Sequence, residues 1–89
     1  MAHCPPAGLA DLADLLAEVR RWAGVVEKSP AVFYVRRQPF LHFHLAKDGR
    51  RRGDIKGSDG WLSFDLTRPV SARKRTAFAR ALRTHRPAR

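Results

Sequence analysis

The chain has one cysteine, Cys4, no asparagine and a single isoleucine, Ile55. One cysteine makes no internal disulfide, so a cross-linked secreted scaffold is excluded and stability must come from packing. A reducing, cytoplasmic setting is the simplest expectation. Negative charge is scarce: 8 Asp and Glu stand against 18 Lys and Arg, a formal net charge of +10. No apolar run approaches the roughly 18 residues of a membrane-spanning helix, and Asp11 and Asp14 interrupt the first apolar stretch. The basic start of a secretory signal is missing, so neither a leader nor a membrane partner is expected.

Other absences bear on function. There is no Gly-rich phosphate loop and no Cys-x-x-Cys, and no nucleophile stands beside a base. The expectation is a non-catalytic protein with no cofactor and no metal. With 89 residues the chain makes a single domain, its ordered core expected over residues 8–85.

What is present is arginine, at 14 residues against 4 lysines. That bias fits a GC-rich bacterial genome and needs no function behind it. Its distribution is less easily explained. Residues 1–30 carry a net charge of −1 and residues 31–89 carry +11. A basic two-thirds beside a near-neutral third points to an anionic partner on one side of the fold.

The apolar pattern gives the elements. Leu9, Leu12, Leu16, Val19 and Ala23 recur at steps of three and four, which predicts a helix over 9–23 that stops at Gly24. Residues 1–7, with Pro5-Pro6, read as an unstructured lead-in. Ser29-Pro30 breaks the chain, Ala31–Val35 is β-branched and aromatic and reads as a strand, and Arg37-Gln38-Pro39 turns it. Phe40–Leu45 alternates strictly: Leu41, Phe43 and Leu45 point one way, Phe40, His42 and His44 the other. Asp48-Gly49 marks a hairpin, Arg51–Lys56 a return strand, and Trp61–Leu66 another, with Leu62, Phe64 and Leu66 inward. Ser71 caps a last helix over about 72–84. The expected fold is α+β in two layers: an N-terminal helix, an antiparallel sheet of three to four strands, and a C-terminal helix, both helices on one sheet face.

Two clusters stand out as anion or nucleic-acid contacts. Arg50, Arg51 and Arg52 follow the hairpin turn, where a tip can reach phosphates. The plainer alternative is a solvated tip that keeps a sheet edge soluble. Arg73, Lys74 and Arg75 open the last helix, against its dipole but beside its free N–H groups. Here the alternative is arginine as a soluble helix former. The open sheet face would carry Phe40, His42, His44 and Trp61, a surface suited to a protein partner, a homodimer or stacked bases. Loops or the N-terminal segment could equally cover it. His42 and His44 share that face, but two imidazoles do not hold zinc. Asp65, His3, Cys4 or His85 would have to complete a set. Asp65 with the two histidines is also the only acid–base grouping.

The segment from Val32 to Leu66 contains Phe33-Tyr34, then Pro39-Phe40-Leu41-His42-Phe43-His44, then Asp54-Ile55-Lys56 and Gly60-Trp61. It resembles small bacterial proteins carrying a Pro-Phe-Leu-His-Phe-His strand, over residues 25–85. The topology is distantly similar to MmcQ/YjbR-type domains, whose fold has been likened to DNA-binding domains. The double-stranded-RNA-binding domain shares the order helix, three strands, helix. Arg73-Lys74-Arg75 leading into Ala77-Phe78-Ala79 is similar to the basic start of its last helix, although Arg37-Gln38-Pro39 replaces its Gly-Pro-x-His type loop.

Overall fold

A computed structural model describes residues 2–87. The elements run β1 (Ala2–His3), a 3-10 helix (Pro6–Leu12), α1 (Ala13–Arg20), β2 (Val25–Ser29), β3 (Val32–Val35), β4 (Gln38–Leu45), β5 (Arg51–Gly57), β6 (Gly60–Asp65) and α2 (Ala72–Thr84). Strands β2 to β6 form a five-stranded antiparallel sheet in chain order. The short β1 pairs beside β3 on the same edge of β4, with Ala2 opposite Leu45 and His3 opposite His44. The α+β expectation holds, but the sheet is larger than three to four strands.

The extra strand comes from a turn that reads as a break. Ser29 pairs with Val32 across Pro30-Ala31, and Ala31 sits at φ 62°. Proline presets the first corner of such a turn, so Pro30 reverses the chain and lets Val25–Ser29 pair with β3. The next turn is equally tight. Val35 pairs with Gln38, and the two residues between, Arg36 and Arg37, have φ 52° and 68°. Two left-handed central residues belong to the type I′ hairpin turn, where Asn-Gly is the usual pair.

The first helix is shorter than its stripe. Pro5-Pro6 starts a 3-10 segment with no side-chain cap, and the α-helix proper begins only at Ala13. Leu9, Leu12, Leu15, Leu16 and Val19 are nevertheless all buried, because i+3 neighbours share a face in both helix types and i+4 neighbours join them in the α-helix. Gly24, at φ 82°, turns the chain into β2. Residues 2–7 are not a loose lead-in. Cys4 is buried, and its N–H donates to the Phe43 carbonyl at 3.1 Å. Burial pushes the Cys4 thiol up from its ordinary pKa, with Arg51 and Arg68 acting the other way. Met1 lies outside the described residues.

The core lies on the sheet face of Leu41, Phe43 and Ile55, joined by Leu66, by Phe78 and Leu82 of α2, and by the α1 leucines and Trp22. Each such fully buried side chain contributes about 1.5–3 kcal/mol. Gly53 sets how α2 sits. It pairs with Phe43 and Phe64, and a Cβ there would lie 2.8 Å from Leu66 Cδ1 and 2.9 Å from Phe78 Cε1. The missing side chain is the socket for the Phe78 ring, which also packs against Phe43 and Phe64 at centroid distances of 5.9 and 5.5 Å. Arg83 clamps Glu18 through two hydrogen bonds of 2.8 and 2.9 Å, and Arg75 binds Asp14, so α1 and α2 are neighbours.

Two side-chain placements differ from the alternation. Leu62 is 39% exposed because β6 is the edge strand of the sheet among the described residues. Phe40 is 5% exposed and belongs to the core, although it shares the parity of His42 and His44. It packs against Phe33, beside the register irregularity between Phe33 and Tyr34. Bulges of this kind bend a strand and re-aim its side chains. Among the described residues no helix is long and apolar enough to cross a membrane.

Candidate functional site

The two basic clusters do become neighbours. Arg52 lies opposite Asp65 across β5 and β6, and the same Asp65 accepts a 2.9 Å hydrogen bond from Lys74 Nζ. A cleft of about 520 Å³ lies there, lined in part by Arg50, Arg52, Ser63, Asp65 and Thr67. Carboxylates, however, already occupy most of these cations. Arg50, exposed at the turn, pairs with Asp48 at 2.8 Å. Arg52 Nε sits 3.0 Å from Asp54 Oδ1. Lys74 and Arg75 engage Asp65 and Asp14. Ser71 Oγ accepts the Lys74 N–H, which removes one of the free donors at the start of α2. Of the six, only Arg73 makes no ion pair among the described residues.

Arg51 is a different kind of residue from its neighbours, and its expected place at the tip does not hold. Its side chain is fully buried. Nη1 donates to Gly8 O and to Asp11 Oδ1, each at 2.7 Å, and Nη2 donates to Asp11 Oδ2 at 2.7 Å. Nε donates to Leu66 O at 2.8 Å. The guanidinium therefore ties the 3-10 segment to β5 and to the exit of β6. The Arg51 hydrogen bonds hold the Asp11 carboxyl below its ordinary pKa. The Thr67 hydroxyl, then Lys74 and the Thr67 N–H, do the same to Asp65, well below the usual carboxylate range.

Seven of the eight carboxylates form ion pairs with Lys or Arg. The excess charge therefore lies on the ten described cations outside these pairs, which include Lys47, Arg68 and Arg73 near the hairpin end. Arg21, Arg36, Arg37, Lys56 and Arg86 are all exposed and make no ion pair among the described residues. Register places them at one end of the molecule. Val35 opposite Val25 sets the Arg36-Arg37 turn beside the end of α1. Leu41 opposite Ile55 carries Lys56 toward the start of β4. Arg86 lies over the Trp22 ring at 5.2 Å, and Lys56 over Trp61 at 5.5 Å. Asp59, the one remaining carboxylate, is in the β5–β6 turn at the same end. The sequence leaves four residues, Arg36 to Pro39, between the expected strands, and only the pairing of Val35 with Gln38 narrows the turn to Arg36-Arg37; Arg-Arg is not a turn-forming pair and gives no signal of it.

The open face gathers a second group. Register sets His42 opposite Asp54 and His44 opposite Arg52, and Asp54 opposite Ser63. Asp54, buried at 5% exposure, points its Oδ2 toward His44 Nε2 at 3.3 Å and His42 Nδ1 at 3.8 Å. Ser63 Oγ donates to Asp54 Oδ1 at 2.8 Å. The His42 and His44 rings meet edge-on at 4.7 Å, and Trp61, 41% exposed, packs on His42 at 4.6 Å. Asp65, the expected carboxylate partner of the histidines, is instead bound to Thr67 and Lys74. Asp54 takes its place, a pairing that only the β4–β5 register discloses.

Comparison with family models, with curated proteins and with solved structures finds no match to this chain.

Proposed function

We propose that this is a small binding domain of the reducing cytoplasm that holds nucleic acid through its phosphates, using Arg21, Arg36, Arg37, Lys56 and Arg86. One observation carries the reading: five exposed cations, outside any ion pair among the described residues, gather at one end of the sheet, although Lys47, Arg68 and Arg73 are also unpaired toward the other. The Arg36-Arg37 turn adds support. A non-glycine residue in the left-handed region costs roughly 1–2 kcal/mol, and two adjacent arginines there trade stability for a charged tip. Phosphate contact positions a protein without selecting bases, so weak sequence preference is expected. The double-stranded-RNA-binding resemblance has less to support it, because five strands stand between the helices and not three.

The test is oligonucleotide anisotropy across salt concentrations. Five phosphate contacts predict a log–log slope of about −4 to −5 on duplex DNA. The Arg36→Asn/Arg37→Gly variant should be shallower by roughly 2 in slope. It should also melt no lower than wild type, since Asn-Gly suits the turn. No binding at low salt, or an unchanged slope in the variant, refutes the reading.

A second reading, self-association, is favoured by exposed Trp61 and Leu62 on the edge strand β6. Light scattering would then show a dimer that Trp61→Ala and Leu62→Ser dissolve.

A further inference from the structure

We propose that His42, His44 and Asp54 form a binding site for a divalent transition metal of the zinc class. The three side chains are brought together by two adjacent strands, which is the rigid kind of support that a metal site needs. His42 and His44 are two apart on β4 and so share a face; Asp54 sits opposite His42 on β5. Their ligand atoms all lie within 4.8 Å of one another. The carboxylate side chain is 7% exposed and the imidazoles 19% and 18%, so an ion here would be largely removed from solvent.

The spacings favour a metal. The separations from Asp54 Oδ2 are 3.3 Å to His44 Nε2 and 3.8 Å to His42 Nδ1. Ligands on bonds of about 2.0–2.1 Å at tetrahedral angles stand roughly 3.3–3.4 Å apart. One edge of the coordination shell is therefore already set, a second closes with a shift of roughly half an ångström, and the third, between the two imidazoles, lies within 4.8 Å. Two imidazoles and one carboxylate are borderline donors, suited to Zn²⁺, Co²⁺ and Fe²⁺ and poorly suited to Mg²⁺ or Ca²⁺. Three protein ligands leave a position for water or an added anion.

The surrounding residues have definite roles. Ser63 donates to Asp54 Oδ1 and leaves Oδ2 turned toward the histidines. Trp61 packs on the His42 ring and fixes its plane. Arg52 opposes the metal. Its Nε contacts both Asp54 oxygens, at 3.0 and 3.2 Å, and its side chain is 41% exposed, free to swing into solvent. The guanidinium is thus a competing cation that an arriving ion displaces. A purely structural polar cluster would need Arg52 in place; a metal site gains from its removal.

The experiment uses tag-free full-length protein and Zn²⁺ alone, by calorimetry, with Co²⁺ visible spectra reporting the geometry. One equivalent should bind. His44→Ala and Asp54→Asn should each weaken binding by more than about 100-fold, since changes outside the ligands alone cost about 10–100-fold. Ser63→Ala should fall in that smaller range. Arg52→Ala should tighten binding by about tenfold or more, because a unit charge is removed a few ångströms away. Imidazole resonances of the wild type provide a measurement that needs no variant to fold: Zn²⁺ should move His42 and His44 together. Absence of stoichiometric binding overturns the proposal. So does movement confined to His3 or His85, or an Arg52→Ala variant that binds no tighter. None of these outcomes touches the phosphate-binding reading, which rests on other residues.

Discussion

Replacing Arg51 tests whether this residue holds the fold or contacts a ligand. Its side chain is fully buried, donates to two backbone carbonyls and grips the Asp11 carboxylate in a two-pronged pair. In Arg51→Ala the Gly8 and Leu66 carbonyls lose their donors, at about 1–3 kcal/mol for each buried group left unsatisfied. Asp11 is 38% exposed, so water recovers part of its loss. Breaking a buried pair by removing one partner costs about 3–5 kcal/mol, and the same figure is expected here. For a domain of this size that lowers Tm by roughly 15–30 °C. Arg51→Lys keeps the charge but lacks the planar fork and should recover little. Urea denaturation followed by tryptophan fluorescence measures the loss. A cycle with Asp11→Ala should give a coupling of about 1–3 kcal/mol. A loss below about 1 kcal/mol would refute the structural role. So would a fully stable variant whose oligonucleotide binding falls as steeply as that of the Arg36/Arg37 variant.

Two further outcomes follow from the same geometry. Gly53→Ala should destabilise by about 1–3 kcal/mol in chemical denaturation, because the added methyl meets Leu66 and the Phe78 ring; unchanged stability would mean that the ring is not seated on that strand. The carboxyls of Asp11, Asp14, Glu18, Glu27, Asp48 and Asp65 are all held below their ordinary values by arginine, lysine or N–H and O–H donors. Their contribution is present in full above the unfolded-chain pKa of roughly 4 and is lost as pH falls toward the lower folded values. A Tm that stays level from pH 7 to pH 3 would contradict these ion pairs.

Much of the local structure was legible before any tertiary contact was considered. Ser71 followed by an apolar stripe through Phe78 and Leu82 defines α2, and the observed helix is Ala72–Thr84 with Ser71 as its cap. A cap, a helical period and a proline near the end act within a few residues, so a linear reading captures them. The alternation of β4 is local in the same sense, and it placed His42 and His44 on one face correctly. The hairpin at Pro30-Ala31 was hidden because a proline that ends a strand and one that turns it look alike until the partner strand is known.

The sequence alone determined the class of fold, the last helix, the β4 alternation and the lopsided charge. Only the tertiary structure decided which arginines are available. Arg50, Arg51 and Arg52 are adjacent in the chain, yet one is exposed, one buried and one laid on Asp54. The buried one bonds to a carbonyl 43 residues away. Likewise Asp54 meets His42 and His44 only through the strand register, and Phe40 is buried beside an irregularity in another strand pair. The physical reason is common to all three. Propensity and periodicity are properties of neighbours in sequence, whereas burial and ion pairing depend on which distant groups compete for the same volume and charge.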